Sequence, residues 1–120
     1  MSHKVTIQTR VHDPAAVAAA CQRLGLPAPV QSTAELYSGE ATGLVVQLPG
    51  WLYPIVIDPL TGLVRYDHFE GHWGEPQHLD RFLQLYAVEV VRLEARKQGY
   101  AVSEQPLHDG SIKVQLVEGS

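Results

Sequence analysis

Residues 76–98, PQHLDRFLQLYAVEVVRLEARKQ, decide the fold because they carry the strongest helical pattern in the chain. Apolar side chains recur there at alternating steps of four and three residues, namely Leu79, Leu83, Tyr86, Val90 and Leu93, with Phe82 and Ala87 beside them. Pro76 suits the first turn of a helix, and Gly99 suits the residue after its end. We therefore predict a long amphipathic helix from about Pro76 to Gln98, lying along a sheet.

The residues before this helix predict a strand and a shorter helix. Between Lys4 and Val11 the apolar side chains occur only at odd-numbered positions, and this alternation indicates a half-buried strand. Asp13 is a good N-cap, and a proline follows it at a position where its missing N–H costs nothing. Apolar residues then recur at helical spacing as far as Leu24, and Gly25 suits the residue after a helix end. We therefore predict a helix from about Pro14 to Leu24.

Short apolar runs fill the middle of the chain and its end. Between Val30 and Phe69 they are separated by turn residues, which predicts a meander of three or four strands with a tight loop at residues 58–62. After the long helix, residues 100–105 and 111–117 predict two strands joined by a turn at 108–110. The alternation in the last strand indicates that one of its faces is buried.

These elements predict one α+β domain over residues 1–120. Their order is β-α-β-β-β-β-α-β-β, and a mostly antiparallel sheet with both helices packed on one face buries all the apolar surfaces at once.

Composition excludes several classes of partner and location. The chain has 120 residues, a net charge of -4 and nine Lys and Arg residues, too few and too scattered for a nucleic-acid backbone. No apolar run approaches the roughly 18 residues of a membrane span. Cys21 is the single cysteine and lies in the first predicted helix. We expect a buried, inert thiol, no nucleic-acid or membrane partner, and a cytoplasmic location.

The chain resembles the hypothetical chloroplast reading frame thirty-five family, a family of unknown function in plastids and bacteria. The resemblance lies at both ends, in residues 1–3 with 6–9, in Leu24-Gly25, and in the closing segments that contain Tyr86-Ala87, residues 98–100 and residues 109–112. The middle departs from the family, whose members carry an acidic residue followed by tryptophans before the long helix. Here only Asp67 and Trp73-Gly74 answer to that pattern, with His68 and His72 between them. The resemblance implies an α+β fold and, as a partner, an AAA-type ATPase, but it supplies no catalytic or binding residues.

One cluster of polar residues suggests a metal site. If residues 66–73 were extended, His68, Glu70 and His72 would point to one side, and two imidazoles with a carboxylate bind Zn or Fe. The other interpretation is a polar strand end and loop without a cofactor.

A second segment, residues 49–54, places Trp51, Leu52 and Tyr53 between prolines. Together with Trp73 these side chains are either a loop that covers one end of the core or an exposed anchor for another protein. Because catalytic signatures are lacking, we expect a non-enzymatic interaction or accessory module, with an AAA-type ATPase or a second copy in a homo-oligomer as its partner. The alternative is a metal-binding protein or metal-dependent enzyme that uses His68, Glu70 and His72.

Overall fold

The computed structural model describes the backbone of residues 4–7 and all atoms of residues 10–69 and 71–118. Two helices are present in this part of the chain, α1 (Pro14–Leu24) and α2 (Pro76–Lys97). The strands are β1 (Lys4–Ile7), β2 (Val30–Leu36), β3 (Gly39–Val46), β4 (Ile55–Asp58), β5 (Leu63–Asp67), β6 (Tyr100–Pro106) and β7 (Ile112–Glu118).

The strands form two antiparallel sheets. Five of them pair in the order β1-β5-β4-β3-β2, and β6 pairs with β7 alone. The α+β class, the antiparallel pairing and the order of elements from α1 onward are confirmed. The single sheet is wrong, because the last two strands return on another side of α2. The strand predicted from Lys4 to Val11 does not reach Val11. Val11 is buried in a loop, where its N–H donates to the Gly62 carbonyl at 2.8 Å.

Local chemistry sets the ends of α1 as the sequence predicts. An oxygen of Asp13 accepts the N–H groups of Ala15 and Ala16 at 3.0 and 3.3 Å. Gly25 then adopts a left-handed conformation with φ 70°, which a residue with a side chain rarely adopts. The helix therefore starts and stops where its capping residues stand.

The main core joins both helices to one face of the five-stranded sheet. Its fully buried members include Val17 and Cys21 of α1, Ile55 and Ile57 of β4, and Phe82 of α2. The hydroxyl of Tyr86 in α2 also accepts the N–H groups of His12 and Asp13, at 3.1 and 3.2 Å. α2 thus fixes the start of α1 by packing and by hydrogen bonding.

The buried side of α2 is broader than its predicted stripe. The buried residues are Leu79, Phe82, Leu85, Tyr86, Val88 and Ala95. The predicted Leu83, Val90 and Leu93 are half-buried, and Ala87 is exposed. The β6–β7 hairpin packs on another side of the helix. The buried residues are therefore spread around α2 rather than confined to one narrow stripe. Neither described helix is both long and apolar enough to cross a membrane.

The tip of the β2–β3 hairpin folds over the sheet face opposite the helices. β4 pairs with residues 44–46 of β3, and beyond them Leu36 and Ala41 pack against Val56 in a second, smaller core. Gly43 lies at this bend, where a β-carbon would collide with the carbonyl oxygen of Ile57. The bend therefore requires glycine at this position.

We predict that Gly43→Ala lowers the free energy of unfolding by about 2 kcal/mol, because the added methyl group forces the two strands apart. Ser32→Ala, on the exposed strand opposite Gly43 in register, is the matched control and should change the free energy by less than about 0.5 kcal/mol. Urea unfolding measures both values. Equal stability of the two variants would contradict the close approach at Gly43.

Candidate functional site

Trp51 belongs to the core. It is 4% exposed, its indole N–H donates to the Glu75 carbonyl at 3.1 Å, and its ring contacts Tyr66 and His68 edge-on. Gly74 lies against the ring so closely that a β-carbon there would collide with it. Of the two interpretations of Trp51, the structure agrees with a side chain that closes one end of the core.

The other three predicted interaction residues lie nearer the surface. Leu52 is 62% exposed, while Tyr53 and Trp73 are half-buried. The N–H of Leu52 donates to the Trp73 carbonyl at 2.8 Å, which joins the loops that contain them. Trp73 is in ring contact with Tyr37, Tyr53 and Phe69 at centroid distances of 4.9, 5.5 and 4.8 Å. Leu52 therefore stands beside an outer aromatic cluster, which we define as Tyr37, Tyr53, Phe69 and Trp73.

The loop after β5 is not extended, so it does not place His68 and His72 in the arrangement required for the metal hypothesis. The N–H groups of Gly71 and Trp73 both donate to the His68 carbonyl, at 3.0 and 2.8 Å, and Phe69 has a left-handed φ of 47°. Glu70, the third predicted ligand, lies outside the described residues. Among residues 4–7, 10–69 and 71–118, no three His, Cys, Asp or Glu side chains are grouped as metal ligands.

The His68 ring packs on Tyr66 at 5.2 Å, and its Nδ1 accepts the N–H of Gly71 at 3.2 Å. His72 is exposed and lies beside Phe69 at 4.9 Å. The two imidazoles therefore have different surroundings, one between core aromatics and one at the surface.

Asp67, the acidic residue named in the resemblance, is a buried carboxylate. It is fully buried at the end of β5, and one of its oxygens accepts the N–H and the hydroxyl of Ser38 at 3.2 and 3.4 Å. The other oxygen is buried and has no hydrogen-bond partner among the side chains and backbone that the structure describes. Because Ser38 lies at the tip of the β2–β3 hairpin, Asp67 fastens that tip over the sheet.

A mainly apolar groove lies between α2 and β7. We call it the α2–β7 groove. Its middle and its lower end have volumes of about 300 and 260 Å³, and its walls include Ala87, Val88, Val91, Ile112, Val114 and Leu116. At the turn between β6 and β7 it widens into a polar end that contains Asp80, Arg81 and Asp109.

The exposure of its walls shows how incompletely this groove is filled. Val91 on α2 is 37% exposed, Tyr100 at the lower end is 41% exposed, and Leu116 on β7 is 52% exposed. Ile112, Val114 and Leu116 share one face of β7, which the alternation predicted to be buried. That prediction is only half fulfilled: Ile112 and Val114 are half-buried and Leu116 is exposed, because α2 lies under β6 more than under β7.

An ion-pair cluster holds the β6 side of the hairpin against both helices. Glu104 on β6 binds Arg23 of α1 through both carboxylate oxygens and Arg92 of α2 at 2.8 Å. Arg23 also contacts Glu89 of α2 at 3.4 Å. Hydrogen bonding to Arg23, and then to Arg92, lowers the pKa of Glu104 below its ordinary value of 4.5. One strand of the hairpin is therefore clamped, whereas β7 overhangs the groove.

Cys21 confirms the prediction of a buried thiol. It is completely buried in α1, and burial raises the pKa of its thiol to about 11. A thiol with that pKa is protonated at neutral pH and is a poor nucleophile.

No family model, curated protein or solved structure matches the chain. The resemblance to the hypothetical chloroplast reading frame thirty-five family therefore stays a prediction.

We predict that Glu104→Gln lowers the free energy of unfolding by about 1 kcal/mol at pH 7, since two arginines lose their charged partner. The folded-state pKa is lowered, so the stabilisation is present above pH 4.5 and is lost as pH falls through the folded-state value. The difference between wild type and variant should therefore shrink in acid.

Urea unfolding at a series of pH values measures this difference. Glu94→Gln is the control, because Glu94 is 62% exposed on its side chain and its ion pair with Lys97 spans 3.9 Å. A difference between wild type and Glu104→Gln that is constant from neutral to acid pH would show that the ion pairs do not stabilise the fold.

Proposed function

We propose that this chain is a non-enzymatic protein-interaction module, an accessory subunit that binds its partner in the α2–β7 groove. The observation that carries this proposal is the exposure of apolar side chains on both walls of one groove. Val91 lies on the helical wall and Leu116 on the strand wall. Apolar surface collected in one concavity is typical of a protein contact.

The chemistry of the groove supports binding over catalysis. A catalytic pocket needs several polar groups that converge on one reacting atom. The middle of this groove is walled mainly by aliphatic side chains, with Gln84 and Ser111 as its polar members. Among the described residues, the groups with shifted pKa values have structural roles, and of them only Asp109 lies in the groove, at its polar end. Cys21 and Tyr66 are in the core, Arg23 and Glu104 form the clamp, and Asp109 binds Ser111 in the hairpin turn.

The free edge of β7 supplies a second element of recognition. Within the described residues β7 pairs with β6 alone, so the backbone groups on its other side face outward at the mouth of the groove. An extended partner segment can bond to that edge and place alternate side chains in the groove, as in strand addition. The resemblance to the family of unknown function implies an AAA-type ATPase as one such partner.

A second surface supports the same class of function less strongly. Tyr37 of the outer aromatic cluster is 51% exposed, and Leu52 beside that cluster is 62% exposed. These are two exposed apolar side chains, against Val91, Tyr100 and Leu116 in the groove. We assign the main contact to the groove.

We predict that Leu116→Lys abolishes capture of the partner by the tagged full-length chain, because a charge is placed in the apolar groove. Leu60→Lys is the matched control, since Leu60 is 91% exposed in the turn between β4 and β5. Partners captured from extracts of the native host are measured by quantitative mass spectrometry. A protein lost with Leu116→Lys and retained with Leu60→Lys supports the proposal.

Leu52→Lys tests the second surface in the same experiment. Loss of the partner with Leu52→Lys and its retention with Leu116→Lys would move the contact to the outer aromatic cluster. If all three variants capture the same proteins as the wild type, the proposed function is wrong.

A further inference from the structure

We propose that residues 32–43, the outer part of the β2–β3 hairpin, form a flap that swings off the sheet as one unit while the rest of the fold stays closed. We call this segment the hairpin flap. Its opening uncovers Val56 of β4 and the side chains around it. None of its residues lines the α2–β7 groove, so the inference goes beyond the proposed function.

Strand pairing holds the hairpin flap to the sheet only at its base. β2 and β3 pair with each other along almost their whole lengths, whereas β4 pairs only with residues 44–46 of β3. Residues 39–43 therefore have β2 as their one strand partner in the described chain. The hairpin keeps this pairing when it leaves the sheet, together with its own bond between the hydroxyls of Thr33 and Thr42 at 2.7 Å. Gly43, at the boundary, is the hinge.

Few apolar contacts close the hairpin flap. Leu36 and Ala41 bury their side chains against Val56, and these are the three buried residues of the smaller core, whereas the main core has sixteen among the described residues. At the tip, Tyr37 adds a ring contact with Trp73 at 4.9 Å. Because the free energy of burial scales with the apolar area removed from water, opening the flap costs much less than unfolding the sheet.

The polar contact at the tip does not hold the flap firmly. Asp67 accepts the N–H and the hydroxyl of Ser38 at 3.2 and 3.4 Å through one oxygen, and its other oxygen has no hydrogen-bond partner in the described residues. A carboxylate in water is hydrogen-bonded at both oxygens. Opening returns water to Asp67, so this contact fixes where the flap closes and adds little to the free energy of closing it.

The open flap exposes an apolar part of the sheet that the closed flap hides. Val56 is 2% exposed, and Val45 and Tyr53 pack beside it as half-buried neighbours. A protein or small molecule reaches Val56 only in the open form, so its binding favours opening. The hairpin flap is thus a gate on this face of the sheet.

Hydrogen exchange of the Ser38 amide, followed by NMR on the full chain, tests the proposal. This N–H is bonded to Asp67 while the flap is closed. We expect its protection factor to lie at least about tenfold below those of the slowest amides of β4 and β5, and to depend little on low concentrations of urea. The amides that pair β2 with β3 inside the flap should remain more protected than Ser38.

Two variants separate flap opening from other routes to exchange. Leu36→Ala removes a contact that exists only in the closed flap, so exchange of Ser38 should accelerate at least about tenfold. Val17→Ala weakens the main core, which stays intact when the flap opens, so it should accelerate the slow sheet amides and leave Ser38 unchanged. Circular dichroism establishes that both variants are folded.

Three results would overturn the proposal. Acceleration of Ser38 together with the sheet amides in Val17→Ala shows that the flap leaves only when the whole chain unfolds. A rate unchanged in Leu36→Ala shows that Ser38 exchanges by fraying of the turn alone. Exchange of the β2–β3 amides in step with Ser38 shows that the hairpin melts instead of swinging. None of these results changes partner capture through Leu116, which tests the proposed function separately.

Discussion

The fold depends on one constraint, that α2 must bury apolar side chains on more than one side. Phe82 and Tyr86 belong to the core that α2 shares with α1 and the five-stranded sheet, while Val88 and Ala95 lie beside residues of the hairpin. Because the helix is enclosed from two directions, the two sheets cannot merge into one. The same helix fixes the start of α1 through the Tyr86 hydroxyl and gives the hairpin its attachment through Arg92. Helices, sheet and groove therefore take their positions from α2.

Elements whose signals are local could be predicted from the sequence. Asp13 and Gly25 mark the ends of α1 because capping depends on a few neighbouring residues. The hairpin turns followed from their glycines for the same reason. The division into two sheets, however, depends on which side of α2 the last strands reach, and strand alternation carries no information about that side. The bend at Gly43 escaped prediction because the contact that requires it is with Ile57, fourteen residues further along the chain.

The candidate site shows the same limit. The aromatic residues between two prolines indicated that the segment around Trp51 has a packing or binding role. The sequence could not show whether the Trp51 side chain lies in the core or at the surface. The contacts that bury Trp51 come from Gly74 and Glu75, which lie in another loop. The groove was missed because its walls, Val91 and Leu116, each look like ordinary positions in an amphipathic element. A signal was nevertheless present, since apolar residues on α2 exceed those that one stripe can hold, and Val88 and Val91 are the excess.

The burial of Cys21 has a practical consequence for studying this molecule in solution. An unreactive native thiol leaves the surface open to engineered cysteines, so spectroscopic labels can be attached at chosen positions without replacing it. Its own slow modification would then act as a clock, because a reagent can reach the sulfur only when α1 moves away from the core. The rate of that reaction measures how often the helix opens, a property that equilibrium unfolding does not resolve.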